Sequence, residues 1–157
     1  MKRALRGLTR LLFRITVNGN LDQFDNPRTL IVANHESFLD GLLMALFLPV
    51  QATFVVHTEI ANNPWFARLL RYIPHLAVDS TSPLAIKLVC RLVETGTPVV
   101  IFPEGRLTVT GSLMKVYDGA AFVAAKTGAT IVPVRIEGAG QSYFGRLAGV
   151  YPLRAFP

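Results

Sequence analysis

His35 and Asp40 lie five positions apart in the run Asn34-His35-Glu36-Ser37-Phe38-Leu39-Asp40. An imidazole held by a carboxylate has a fixed tautomer, and its cationic form is stabilised. It can then take the proton of a hydroxyl while that hydroxyl attacks a carbonyl. The same residues also fit a structural role, because Ser37-x-x-Asp40 ahead of an apolar run is a helix-capping pattern. A carboxylate has two oxygens, so Asp40 can cap and orient at once. Taken alone, the run leaves both roles open.

A second cluster is Phe102-Pro103-Glu104-Gly105-Arg106. Gly105 lets the backbone approach a ligand closely. Arg106 offers a forked donor suited to phosphate oxygens. Glu104 can pair with an arginine or bind a polar head group. Thr108, Thr110, Gly111 and Ser112 extend the loop with small polar groups, and Lys115 adds a cation. The competing reading is a tight turn with a surface Glu–Arg pair. A third stretch, Val132-Pro133-Val134-Arg135-Ile136-Glu137-Gly138, reads mostly as structure, since a proline inside a strand marks an edge, a bulge or a strand end.

Positioning these groups requires a scaffold. Thr29–Ala33 reads as a strand and Asp40–Leu48 as an apolar helix ending at Pro49. His35 and Asp40 therefore fall at a strand-to-helix crossing, where open α/β sheets hold their ligands. Pro98–Phe102 is a short apolar strand that delivers the second cluster. Ile15–Val17, Ala52–His57 and Ala129–Ile136 also read as strands. Asn63-Pro64 opens a helix through about Tyr72, and Ser82-Pro83 opens another through Glu94, with Leu84, Leu88, Val89 and Leu92 on one face. Gly119–Thr127 is a helix stopped by Gly128. The tail from Ala139 reads as irregular. Alternating strands and helices predict an α/β domain: a mostly parallel or mixed central sheet flanked by helices.

Residues 1–16 read MKRALRGLTRLLFRIT. Arg3, Arg6, Arg10 and Arg14 recur in helical rhythm, and Leu5, Leu8, Leu11, Leu12 and Ile15 recur on the opposite face. Such a helix can lie in the headgroup plane of a membrane, or it can pack on the domain with a solvated basic face. The expected division is 1–16 as an amphipathic membrane-interface helix and 17–157 as one catalytic domain. The composition agrees: 51% hydrophobic, 17% charged and a net charge of +6 over 157 residues, with mean hydropathy +0.40 and pI near 10.0. That apolar content rules out intrinsic disorder. Basic and apolar together favour an anionic interface over duplex nucleic acid. One cysteine, Cys90, excludes an internal disulfide and a cysteine-rich metal site. The longest apolar run, residues 41–50, is too short to cross a bilayer, which takes about 20 residues.

The three stretches, in this order, resemble the glycerolipid acyltransferase family, which includes the 1-acylglycerol-3-phosphate acyltransferases. The first block of that family, N-H-x-S-x-x-D, is matched by Asn34, His35, Ser37 and Asp40. The third, F-P-E-G-x-x-S/T, is matched by Phe102, Pro103, Glu104, Gly105 and Thr108, and the V-P-V/I strand by Val132-Pro133-Val134. The resemblance implies His35 as general base, Asp40 as its orienting partner, and Glu104, Gly105, Arg106, Thr108 and Lys115 around the acceptor, with Asn34, Ser37, Phe102, Pro103 and Pro133 structural. It implies an acyl thioester of acyl carrier protein or coenzyme A as donor, a lysophospholipid hydroxyl as acceptor, and no metal or tightly bound cofactor.

One departure bears on the acceptor. Where the second block of the family usually ends in Asp-Arg, this chain has Ala77-Val78-Asp79-Ser80. Losing that arginine suits a singly charged phosphodiester. The runs Tyr117-Asp118-Gly119-Ala120 and Val134–Gly138 are similar to the N-terminal acyltransferase domain of the bacterial bifunctional 2-acylglycerophosphoethanolamine acyltransferase/acyl-[acyl carrier protein] synthetase. The expected acceptor is therefore 2-acylglycerophosphoethanolamine, with 1-acylglycerol-3-phosphate as the alternative. An adenylate-forming synthetase domain is expected in a longer parent chain, this chain being truncated at its C-terminus. The expected location is the cytoplasmic face of the bacterial inner membrane, as a peripheral protein. A non-catalytic membrane-binding domain is the rival of a different class.

Overall fold

Short runs of Val, Ile, Leu and Thr recur between helical segments. In the computed structural model, which describes residues 2–79 and 82–146, five of them pair into one sheet. The strands are β1 (Thr29–Ala33), β2 (Thr53–His57), β3 (His75–Val78), β4 (Val99–Ile101) and β5 (Thr130–Val134), in the order β3-β2-β4-β1-β5. Every pairing is parallel, so the α/β expectation resolves to a parallel sheet. The helices are α1 (Lys2–Phe13), α2 (Leu39–Phe47), α3 (Thr58–Asn62), α4 (Pro64–Leu70), α5 (Pro83–Glu94) and α6 (Gly119–Thr127).

A strand covered on both faces must be apolar on both, and β1 is. Ile31 and Ala33 join Phe24, Met44, Phe54, Ile73, Val100 and Val132 in a core on the α2 and α4 side. Leu30 joins Val89, Cys90, Val93, Val99, Ala120 and Val123 beneath α5 and α6. The edge strands are exposed at alternate or successive positions. Pro133 sits in β5, where its missing N–H costs no sheet bond on the outer side.

Several helix ends follow from local chemistry. Ser82 Oγ accepts from the Leu84 N–H, with Pro83 at the first helical position of α5. Gly128, at φ 66°, closes α6 in the left-handed conformation that glycine adopts without strain.

The structure differs from the sequence expectations in five places. Ile15–Val17 is not a strand: no neighbour pairs with it, and Arg14 ends α1 at a φ of 47°. The helix expected through Tyr72 ends at Leu70, preceded by the separate five-residue α3. Strand β3 was not expected. The core face of α5 is Ala85, Val89, Cys90 and Val93, while Leu84 and Leu88 are exposed. The tail beyond Ala139 also carries more order than expected, with a short 3-10 turn at Ala139–Gln141 and an isolated antiparallel bridge between Ser37 and Gly145. Among the described residues no helix is long and apolar enough to cross a membrane. Met1, Ser80, Thr81 and the stretch 147–157 lie outside the described residues, and so does the expected C-terminal truncation.

Candidate active site

Strands β1 and β4 are immediate neighbours, with Val32 opposite Ile101. Their carboxyl ends therefore release the Asn34–Asp40 turn and the Phe102–Arg106 turn side by side. That pairing is why two motifs far apart in the chain meet.

Asp40 sits in the first turn of α2 with no solvent exposure. Its Oδ2 lies 2.9 Å from His35 Nδ1. The same oxygen accepts the backbone N–H groups of Glu36 at 2.7 Å and Ser37 at 2.9 Å, and Oδ1 accepts the Ser37 hydroxyl at 3.1 Å. A carboxylate surrounded by donors only accepts, so the Nδ1 of His35 carries its proton and Nε2 presents a lone pair. Asp40 thus caps the turn and orients the imidazole at once. Ser37 Oγ also accepts the Leu39 N–H at the start of α2. The His35 ring stacks on Phe102, with centroids 4.1 Å apart and planes 19° from parallel, and about a fifth of its side chain stays exposed (21%).

The backbone of His35 is clamped from the second turn. Its N–H donates to Glu104 Oε1 at 2.9 Å, and its carbonyl accepts the Thr108 N–H at 2.8 Å. The other Glu104 oxygen accepts the Met114 N–H at 2.9 Å. The Thr108 hydroxyl donates to the Ser112 carbonyl at 2.7 Å. Glu104 and Thr108 are both buried and hold loop to loop, and both also line the larger of two neighbouring cavities. Gly105 takes a φ of 63° in the turn whose N–H bonds back to Phe102. Pro103 is buried, and its carbonyl accepts the Tyr117 N–H. Arg106 and Lys115 are exposed, the Lys115 ammonium lying 5.1 Å from the centre of the Tyr117 ring.

Asn34 ties the end of β1 to the segment after β5. Its Oδ1 accepts the Ile136 N–H at 2.7 Å, and its Nδ2 donates to the Ile136 carbonyl at 2.8 Å. Beside it lies a cavity of about 550 Å³, lined by Asn34, Glu36, Thr108, Ser112, Val134 and Arg135 among others. A smaller one of about 230 Å³ shares Glu36 and Arg135 and adds Glu137 and Gln141. His35, Arg106 and Lys115 line neither.

Two groups that sequence reasoning passed over stand at these cavities. Glu36, an unspecified position of the first motif, accepts from Gly140 N–H at 3.1 Å and from Asn34 Nδ2 at 3.2 Å. Burial raises its carboxyl above the ordinary value of 4.5, and the nearby Asp40 and Glu137 charges push the same way, against the Gly140 N–H and Arg135. Arg135, read as strand-end structure, is the cation facing both cavities, and its Nε pairs with Glu137 at 2.7 Å. The acid between the histidine and the serine was the available signal for the first.

Residues 14–137 match the model of a family described as Acyltransferase. The chain is 33% identical over 135 residues to the chloroplastic 1-acyl-sn-glycerol-3-phosphate acyltransferase LPAT1 of Arabidopsis thaliana, covering 82% of this chain and 37% of that protein. It is 32% identical over 129 residues to a 1-acyl-sn-glycerol-3-phosphate acyltransferase of Cocos nucifera, covering 79% and 41%. This chain therefore spans less than half the length of either relative. The crystal structure of the 1-acyl-sn-glycerophosphate acyltransferase PlsC from Thermotoga maritima superposes with a TM-score of 0.64 at 20% identity, over 89% of this chain and 60% of that one, and shares the fold. By its sequence, then, the chain belongs to the glycerolipid acyltransferase family.

Proposed function

We propose that this chain transfers a fatty acyl group from a thioester to the free hydroxyl of a lysophospholipid. The observation that carries the reading is the His35–Asp40 pair, 2.9 Å apart, its carboxylate buried and its imidazole partly open to solvent. The acceptor hydroxyl gives its proton to His35 Nε2 as its oxygen attacks the thioester carbon. The tetrahedral oxyanion collapses, the C–S bond breaks, and the thiolate takes a proton from the imidazolium. Asp40 holds the imidazole in the tautomer that leaves Nε2 free and stabilises its charged form. Acyl carrier protein and coenzyme A both supply the thioester this chemistry needs.

The relatives named above carry 1-acylglycerol-3-phosphate in their names, and that acceptor is the first choice. A second reading, 2-acylglycerophosphoethanolamine, rests on Ser80 standing where an arginine would meet a phosphomonoester, and on Arg135 being already paired with Glu137. The outward leucines of α1 suit a phospholipid surface, as in a peripheral protein of a bacterial inner membrane.

One assay tests the proposal: labelled acyl transfer from both donors to both acceptors, with His35→Ala alongside. Losing a positioned base costs about 10²–10⁴-fold in rate. Full activity in His35→Ala would sink the mechanism. A parent chain that binds vesicles but transfers no acyl group would favour the membrane-binding rival.

A further inference from the structure

Helix α4 turns an unusual face outward. Trp65, Arg68 and Tyr72 follow at i, i+3 and i+7, the last in the turn that closes the helix. Trp65 is 88% exposed and Tyr72 is 70% exposed. Arg68 and Arg71 are also exposed. The opposite face is anchored: Leu69 and Ile73 pack into the core, and the Phe66 ring lies 4.6 Å from that of Phe38. On a water-facing helix the outer face is ordinarily polar. An indole and a phenol among guanidinium groups is instead the chemistry of a membrane–water interface. Between Glu59 and Asp79 the sequence has no acidic residue, so the patch is positive and complements anionic lipid.

We propose that α4 is a membrane contact separate from α1, with Trp65 seated at the headgroup level of an anionic bilayer. Its position gives the contact a consequence. Helix α2 runs between the two elements. Phe38, the residue just ahead of it, meets Phe66 of α4, and Phe47 at its far end lies under the guanidinium groups of Arg6 and Arg10 of α1. A chain held through α1 alone could pivot about that helix. Held at both ends of α2, it keeps the Asp40 end of the helix at the lipid surface. That last step rests on the acyl-transfer reading, whereas the contact itself does not. An acidic carrier protein is the competing occupant of Arg68 and Arg71, but it leaves an indole exposed at 88% with no purpose.

Trp65 is the sole tryptophan of the chain, so its fluorescence reports this position in the unmodified protein. With vesicles of phosphatidylcholine and phosphatidylglycerol, emission is expected to move to shorter wavelength. Phospholipids brominated on their acyl chains are expected to quench it. Arg68→Glu with Arg71→Glu moves the midpoint of the titration to higher lipid. Unchanged emission while the protein co-sediments with vesicles would overturn the proposal, and so would no co-sedimentation at all. A shift produced by an acidic carrier protein, or by protein concentration alone, but not by vesicles, would also overturn it. None of these readouts depends on turnover, so a failed acyl-transfer assay leaves this test intact.

Discussion

Asp40 and Glu104 are two buried carboxylates put to one purpose. Asp40 fixes the His35 ring, and Glu104 fixes the His35 backbone. The Glu104 oxygens are acceptors for two backbone N–H groups, those of His35 and Met114. Glu104→Ala leaves both donors without an acceptor, at about 1–3 kcal/mol for each buried unsatisfied group. Denaturant unfolding should register that loss; a variant as stable as the parent would mean that water replaces the carboxylate freely. Glu36 carries a different signature. Its carboxyl is raised on folding, chiefly by burial, so the folded state holds the extra proton between the ordinary value of 4.5 and the higher folded value. Stability therefore falls as pH rises through that window, and above it the ionised group is a standing cost. Glu36→Gln keeps an oxygen for the Gly140 N–H, gives up the longer bond from Asn34 Nδ2, which retains the Ile136 carbonyl, and removes the charge. The variant should be more stable than the parent at neutral pH, with the difference shrinking as pH falls through the folded value. Thermal unfolding across pH measures this, and a difference that stays constant would remove the charge as its cause.

At the scale of elements, legibility depended on whether local chemistry or tertiary contact sets the boundary. Thr29–Ala33, Pro83–Glu94 and Gly119–Thr127 were readable to the residue, because a β-branched run, a Ser-Pro start and glycine stops are local signals. The His35–Asp40 pair was readable for the same reason: the turn that joins them is short. Strand β3 was not, since His75–Val78 alternates exposed and half-buried residues at the sheet margin and carries no strong apolar run. Ile15–Val17 shows the converse, a β-branched triplet with nothing to pair with. The use of Glu104 was hidden because a backbone partner such as the Met114 N–H leaves no trace in residue type. Helix α5 misled through leucine. Its inner face is built from the smaller Ala85, Val89, Cys90 and Val93, which lets the helix approach the sheet, while Leu84 at 58% exposure faces out. Val93→Ala should cost about 1–2 kcal/mol, two buried carbons at about 0.8 kcal/mol each. Leu84→Ala should stay within about 0.5 kcal/mol. Equal losses on denaturant unfolding would mean that the helix sits rotated from this arrangement.

For the whole molecule, the proposed acyl transfer requires that a sheet with a water-accessible imidazole reach a lipid. Helix α1 packs by its arginine side: the Arg6 Nε donates to the Leu46 carbonyl, and Arg6 and Arg10 lie 5.8 Å and 5.4 Å from the Phe47 ring centre. This reverses the simplest picture of an interfacial helix, in which all arginines wait for phosphate. Two of them hold the helix to α2, and Leu5, Leu8, Leu11 and Leu12 are left outward, Leu11 at 80% exposure. Vesicle binding through this helix should therefore rest more on apolar burial than on charge, and added salt should weaken it less than the net charge of +6 suggests. Leu11→Asp makes the test specific. The side chain touches little in the folded chain, so stability should change by no more than about 0.5 kcal/mol. Burying a leucine is worth about 1.5–3 kcal/mol, and each 1.4 kcal/mol is about tenfold in a partition constant. Vesicle partitioning should accordingly fall about tenfold or more, with the melting temperature held. An unchanged partition constant would free α1 from the membrane and leave its leucines for another partner.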